Sequence, residues 1–429
     1  MWYSTHPKYA YTSRWAKVSV DNRAASTTIE KEDRLGTSVG TVSTGGRFPV
    51  LSGSFTLENF LTALVFVAAC FALSAVTIAR FKVGPETVLE QEQRCMTPMP
   101  KFHNDSATLK TFPTAFEKFF DDRFALRAKL LGLNGDLKYF VFDTSPTDKV
   151  LRGLNGWFYF MDEGDKEVLR HYPEMTQRQL DHWAILIMQR KFWMDQHHIR
   201  YIVMIVPSKC TIYPENVPEP YRPVNLPSRT DQFINAVKSR SSVDILDLRP
   251  TVFDAKGKTQ VFLKTDTHWS RLGSFYAYQK MISSLKPWFP NMKPYEYKDL
   301  KTWNSEYLGD LSKMMGFRDW LTESFTEAEL KNRTWQYSKD KGLPDQTNPL
   351  AAYQPFATEA PGKGKPRAFV LFDSFMFPPL PFLAEHFSRA YFVRSRDMHF
   401  SQIEKEHPDV VIEEITERFL GKLRPKNYE

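Results

Sequence analysis

Cysteine is scarce, with three residues in a chain of 429. Cys70 lies inside an apolar run, and Cys95 and Cys210 are far apart, so neither a multi-disulfide framework nor the clustered spacing of a zinc motif is available. A single Cys95–Cys210 bridge is the only pairing left open. Dense Lys/Arg blocks with interleaved aromatics are also missing, although the formal net charge is +7. The excess is scattered, so no nucleic-acid partner is expected. No internal repeat competes with a single globular fold, and no motif calls for a cofactor.

What is present argues for a folded protein with additions. Apolar residues make up 42% and aromatics 14%, and the length exceeds one usual core, so we expect one catalytic domain plus appended segments. Residues 1–52 are rich in Ser, Thr, Gly and isolated charges without periodicity, as in VSTGGRFP, and read as a disordered tail. From Phe60 to Ala79 the chain runs FLTALVFVAACFALSAVTIA without a charge. About twenty such residues suffice to cross a hydrocarbon core of roughly 30 Å, so residues 57–80 read as a transmembrane signal anchor. A buried soluble helix is the competing reading. A cleaved signal peptide fits poorly, because the run begins well into the chain. Lys31, Arg34 and Arg47 precede it and Arg80 and Lys82 follow, so flanking charge leaves orientation open.

Residues 84–145 carry helical spacing in FEKFFDDRFALRAKLLGLNGDLKYF and read as a helical stalk or lid. From residue 146 to about 422 strands and helices alternate. VLRGLNGWFYF has the pattern of a hairpin, Met175 to His198 that of a helix, and YIVMIVP that of a buried strand. A helix near Thr230 to Ser239, the strand VDILDL and a helix near Leu272 to Leu285 follow. After a punctuated insertion from Tyr295 to Pro366 come RAFVLF, a helix before His386, AYFVR, DVVIEE and a final helix. This rhythm predicts an α/β fold, a mostly parallel sheet with helices on both faces, whose active site lies at strand C-terminal ends.

RAFVLF runs into Asp373-Ser374-Phe375, which puts a serine hydroxyl at the end of a buried strand. Backbone N–H groups of the next turn would suit an oxyanion, although Ser and Asp at such a place also serve as helix caps. The knot Lys264-Thr265-Asp266-Thr267-His268-Trp269 supplies an Asp two residues from a His, so one loop presents both. A neutral imidazole can take the serine proton while the carboxylate orients it. Asp397-Met398-His399 repeats the spacing without the compact Thr-rich loop. A metal reading, with Asp266, His268, Asp373 and His399 on one ion, competes without supporting His or Cys spacing.

Together, VLRGLNGWFYF, IVPSKCTIYPENVP, TDTHW, LFDSF and EEITERF, in that order over residues 146 to 420, resemble the alginate O-acetyltransferase branch of the SGNH hydrolase-like superfamily. The resemblance implies an SGNH hydrolase-like sheet, with Ser374 as nucleophile, His268 as general base and acid, Asp266 as the orienting carboxylate and Asp373 as structural. The family often has Gly before Asp-Ser, where this chain has Phe372. The resemblance also offers Lys209, Tyr213, Arg394 and Arg396 as substrate-binding residues. Trp269, Trp157 and Trp303 are candidates for stacking on sugar rings. Gly309 and Asn304 are oxyanion candidates by residue type alone.

The function so implied is transfer of acetyl groups onto hydroxyls of an exported polysaccharide through an acetyl-serine. A multi-pass membrane O-acyltransferase would be the acetyl donor, and the enzyme would sit in the cell inner membrane by a single pass, facing the periplasm or exterior. An esterase with the same triad and a non-catalytic polysaccharide-binding protein are the alternatives. For topology, a reporter that works only outside the membrane, fused after Glu429, is expected to be active. An inactive outside reporter with an active cytoplasmic one reverses the orientation.

Overall fold

The computed structural model describes residues 56–84, 88–89, 94–102, 105–224, 227–317, 321–340, 343, 354–421 and 426–428. The tail read over residues 1–52 lies outside them. The chain divides into two compact units, Met1–Ala63 and Leu64–Glu429, and the sheet and cleft described below belong to the second. The apolar run forms helix α1 (Leu57–Ala79), which is long and apolar enough to cross a membrane and almost unburied by protein. That exposure argues against a soluble core helix, whose side chains would be packed all round.

Two helices follow, α2 (Ser106–Arg123) and α3 (Arg127–Asp136), and α3 continues into a wider turn over Leu137–Val141. The Gly-punctuated segment pairs β1 (Val150–Arg152) with β2 (Phe158–Phe160) as an antiparallel hairpin. Asn155 and Gly156 both take positive φ in its turn, a conformation that favours these two residue types.

Helix α4 (Gln177–Gln196) starts at a capping box between Thr176 and Gln179, which satisfies N–H groups that the first turn leaves orphaned. It leads to β3 (Arg200–Val206), α5 (Arg229–Lys238), β4 (Asp244–Asp247) and α6 (Arg271–Leu285). The punctuated insertion holds a projecting hairpin, β5 (Leu300–Tyr307) with β6 (Glu323–Leu330), and the short helix α7 (Asp310–Met314) between them. Strands β7 (Gln336–Tyr337), β8 (Phe356–Glu359), β9 (Arg367–Leu371), β10 (Arg389–Val393) and β11 (Val410–Thr416) complete the domain.

The main sheet has seven strands in the order β4-β3-β11-β9-β10-β8-β7. The first five run parallel, and β8 and β7 add an antiparallel edge. This is the mostly parallel α/β sheet expected, with one large apolar cluster against each face. One expectation fails. Among the described residues after DVVIEE there is no final helix but a single tight turn, Glu417–Phe419. The side chains of this turn are pinned inward: Glu417 accepts from Ser208 N, Thr211 Oγ1 and Thr230 Oγ1 at 2.8, 2.6 and 2.7 Å.

The central strand β11 is buried at all seven residues, yet it carries two consecutive glutamates. Their side chains point to opposite faces. Glu413 meets Arg190 of α4 at 2.5 Å, with neither side chain exposed, and also accepts from the Tyr201 hydroxyl. Breaking a fully buried ion pair from one side costs about 3–5 kcal/mol, because the surviving charge stays desolvated. Arg190→Met is therefore expected to lower the thermal midpoint sharply, and Arg190→Met with Glu413→Gln to recover part of the loss. An unchanged midpoint for the single variant would count against this account.

Candidate active site

The serine turn is positioned by burying the residue before it. Phe372 N–H donates to Val393 O at 3.1 Å, and the Phe372 ring packs edge-on to Phe356, Phe377 and Phe392. Phe372 does not take positive φ and Asp373 is extended at φ −117°, so this turn forms without glycine. Asp373 N–H donates to Glu414 Oε2 at 2.8 Å. The Asp373 carboxylate accepts from Phe375 N, Thr416 N and Thr416 Oγ1 at 3.0, 3.0 and 2.9 Å, and pairs with the Arg396 guanidinium. Burial alone would raise its pKa, but Arg396 and Arg418 together with these donors hold it below the usual value. Ser374 then opens a one-turn helix with its hydroxyl facing the cleft.

The second element is the loop before α6, held from beneath and from the side. Lys209 Nζ donates to the carbonyls of Leu263, Lys264 and Asp266 at 3.1, 3.0 and 2.6 Å. Glu323 of β6 accepts from Lys264 N, Thr265 N and Thr265 Oγ1 at 2.7, 2.8 and 2.6 Å. Trp269 Nε1 donates to Phe375 O at 2.8 Å, tying the loop to the serine turn. A Cβ on Gly309 would lie 2.0 Å from Thr265 O, so only glycine lets the start of α7 approach this loop.

On that frame Asp266 Oδ1 accepts from His268 N and from His268 Nδ1, each at 2.8 Å, and Oδ2 accepts from Asp310 N at 2.8 Å. His268 Nε2 lies 2.8 Å from Ser374 Oγ. Asp310, at the head of α7, accepts from Thr267 N at 2.7 Å through Oδ1, and its Oδ2 is 3.6 Å from His268 Nδ1.

Burial opposes charge on Asp266, but the His268 hydrogen bonds and charge, with the backbone donors, bring its pKa down to about 2. Asp310 is pushed up to about 6 by burial and by the Asp266 charge. His268 moves upward: burial works against its cation, and Asp266 and then Asp310 outweigh it. The arrangement can take a proton from Ser374 at Nε2 and stabilise the resulting imidazolium at Nδ1.

The site opens into a cleft of about 680 Å³, within the range of small-molecule sites. Tyr307, Phe325 and Phe377 give it apolar walls, and Arg271, Arg394 and Arg418 add positive charge.

The structure brings Ser374, His268 and Asp266 together. Arg394 lines the cleft, as does Trp269, although Trp269 is buried by its bond to the serine turn. Lys209 and Tyr213 do not serve as cleft residues. Lys209 is spent on three carbonyls, and burial lowers its pKa to about 8. Tyr213 stacks on Trp157 with ring centroids 4.1 Å apart, and its hydroxyl accepts from Val261 N at 3.0 Å. Arg396 is consumed beneath the serine by Asp373. Asn304 is exposed on β5 and Gly309 is buried against the loop, so neither lines the cleft; Trp303 is likewise no part of its wall.

Among the described residues, those close enough to share a metal are Asp266, His268 and Asp310, rather than a set containing Asp373 or His399. Both Asp266 oxygens and Asp310 Oδ1 already accept backbone N–H groups. The three cysteines are free. Sequence reading missed Asp310, Glu323 and Arg418, whose polar partners lie 42 or more residues away and which carry no short spacing signal.

Residues 150–352 match the family model described as an SGNH hydrolase-like domain, acetyltransferase AlgX. That stretch contains Asp266, His268 and Asp310 and ends before Ser374. The probable alginate O-acetylase AlgJ of Azotobacter vinelandii is 28% identical over 173 residues, 40% of this chain and 42% of that protein. The AlgJ of Pseudomonas aeruginosa is 29% identical over 174 residues, with the same two shares, 40% and 42%. The chain thus spans about two fifths of the length of the curated relatives it matches.

Among solved structures, the O-acetyltransferase domain of Pseudomonas putida AlgJ is similar at TM-score 0.45 and 21% identity, over 64% of this chain and 92% of that one. Bacillus cereus PatB1 is similar at TM-score 0.48 and 16% identity, over 65% and 99%. The resemblance to the alginate O-acetyltransferase branch, and the SGNH-like α/β fold that it implied, are borne out by the family model and the curated relatives.

The two carboxylates facing Nδ1 generate a pH prediction. Proton abstraction needs neutral His268, so the rate falls as pH drops through its raised pKa. Removing the Asp310 charge lowers that pKa. In Asp310→Asn the acid limb of kcat/KM for an acetyl ester is therefore expected to move to lower pH. A limb that stays put or moves upward would show that Asp310 does not act on His268.

Proposed function

We propose that this chain is a polysaccharide O-acetyltransferase in which Ser374 carries the acetyl group between donor and sugar. The single observation that carries the reading is the continuous chain of contacts from Ser374 Oγ to His268 Nε2 and from His268 Nδ1 to Asp266, 2.8 Å at each step. Its position at the C-terminal ends of parallel strands, where such sheets place their ligands, agrees. So does the similarity to proteins named alginate O-acetylase.

In the first half-reaction Ser374 Oγ attacks the donor's acetyl carbonyl as His268 Nε2 takes its proton. Asp266, with Asp310 beside it, stabilises the imidazolium. The proton passes to the leaving group, and the acetyl stays on Oγ as an ester. In the second half a sugar hydroxyl gives its proton to His268 and attacks the acyl carbonyl, and the serine is released with that proton. Phe375 and Met376 N–H are both taken by Asp373. Among the backbone donors of this turn, Ser374's own N–H is thereby left for a developing oxyanion.

The acceptor proposed is an exported polysaccharide, with alginate the first polymer to test. The donor is a multi-pass membrane O-acyltransferase. On this reading residues 57–80 anchor the enzyme in the inner membrane, residues 84–145 form its stalk, and the catalytic domain of residues 146–422 faces the periplasm or exterior.

Losing a triad member commonly costs several orders of magnitude. Ser374→Ala and His268→Ala are both expected to lose at least about 10³-fold in acetyl-ester turnover, with the fold retained by circular dichroism and with His399→Ala close to wild type. Near-wild-type turnover in Ser374→Ala would remove it as nucleophile. With an acetyl donor and oligosaccharides, mass spectrometry should find acetylated sugar in excess of free acetate, because a positioned hydroxyl can reach an effective molarity of about 10⁵ M. Acetate alone, across a panel of oligosaccharides, would make the enzyme an esterase with the same three residues.

A further inference from the structure

Helix α3 and the turn after it are two-faced in a way that their place in the protein core does not require. One face is welded to the catalytic domain. A Cβ on Gly135 would stand 2.4 Å from Met315 O, so the helix backbone touches the end of α7 directly. The Tyr139 ring packs against Phe158 and Phe317 at 6.0 and 5.0 Å, and Arg152 Nη1 donates to Tyr139 O at 3.1 Å. The opposite face carries Leu130, Leu133, Leu137, Phe140, Val141 and Phe142, each between 45% and 65% exposed. Leu130, Leu133, Leu137 and Phe140 with Val141 recur three or four apart and Phe142 follows at the helix end, so they form one continuous apolar strip, larger than the scattered singles that soluble surfaces normally show.

What covers the strip is indicated by where the helix starts. Ala125 N–H donates to Thr77 Oγ1 at 3.2 Å, and Arg80 Nη1 donates to Phe124 O and Ala125 O at 3.5 and 3.4 Å. Arg123 Nη2 reaches Val83 O at 2.9 Å, and Phe81 packs on Phe119 at 4.9 Å. The corner leading into α3 is therefore clamped to the last turn of the apolar helix α1, and α3 begins two residues after that corner. Arg127, Lys129 and Lys138 accompany the strip, the pattern of a helix lying in the headgroup region with cations beside its apolar face.

We propose that the strip from Leu130 to Phe142 seats in the surface of the lipid bilayer, beside the point where α1 leaves it. This rests on reading Leu57–Ala79 as a membrane span. The consequence concerns the active site: α3 packs on the end of α7, and α7 begins at Asp310 beside His268. A seated α3 thus fixes the wall of the cleft with respect to the bilayer.

The test uses the full chain in phosphatidylcholine vesicles, with Cys70 and Cys95, both exposed, replaced by Ser and buried Cys210 kept. Spin labels are placed one at a time through Leu133→Cys, Leu137→Cys and Phe140→Cys, with Val65→Cys in α1 as lipid reference and Asp148→Cys as water reference. Collision with oxygen is expected to exceed collision with a water-soluble nickel chelate several-fold at the three strip positions and at residue 65, and the reverse is expected at 148. On the unsubstituted chain, a photoactivatable acyl chain should label the peptide spanning residues 127–142.

Nickel access at 133, 137 and 140 equal to that at 148, with residue 65 still in lipid, would overturn the seat and leave the span standing. Nickel access at residue 65 would overturn the span and the seat with it. Shielding of the strip from both reagents, without lipid labelling, would assign the face to a protein partner and overturn the proposal as well.

Discussion

A carboxylate that is almost wholly buried must find donors, and the donors that Asp266 finds are what assemble this site. Its two oxygens accept from His268 N, His268 Nδ1 and Asp310 N. One side chain thereby sets the direction of the imidazole and draws the start of α7 against the loop. Each of these bonds favours the charged form against burial, so the same contacts that build the geometry keep the group ionised. Without that anion, Nδ1–H would lose its main acceptor and Nε2 its fixed aim at Ser374.

The same demand recurs along the sheet. β11 brings Glu413 and Glu414 into the interior, and the turn after it adds Glu417 and Arg418. Each is answered by a residue from a different element: Arg190 from α4, Asp373 N from the serine turn, Ser208 and Thr230 from the segments after β3 and at α5, and Asp165 from the segment after the hairpin. Buried charges are a poor source of stability but penalise any arrangement that leaves one unpaired. A centre built on them suits a site where the position of one serine hydroxyl matters more than the depth of the energy well. Glu414 shows the cost: burial and the neighbouring Asp373 raise its pKa well above that of a free glutamate.

The cleft is coupled to the N-terminal helices by packing rather than by charge. α3 touches the end of α7 through backbone at Gly135, and α7 starts with Asp310. A displacement of α3 would therefore be felt one short helix away from His268, through contacts too close to absorb a shift.

Much of this was legible in order along the chain. Apolar runs such as YIVMIV and RAFVL mark the buried parallel strands because such strands are covered on both faces. The uncharged run before Arg80 marks α1, and Asp266 and His268 stand out because they are two residues apart and share a loop. Phe372, which departs from the glycine of the resembling family, is accommodated because Asp373 takes an extended backbone and the ring enters the core. What the sequence determined by itself, then, is the order of elements, the apolar helix and the loop and turn that bear Asp266, His268 and Ser374, all properties of residues near one another in the chain.

The rest was decided only by the tertiary structure. Lys209 and Arg396 follow strand ends, where cleft cations belong, and only the fold shows them turned inward to three carbonyls and to Asp373. Asp310 reaches the histidine from 44 residues beyond Asp266, and Ser374 from 106 beyond His268. Desolvation is the reason: which polar group must pair with which is set by what surrounds it once water has been excluded, and that surrounding exists only when distant segments have met.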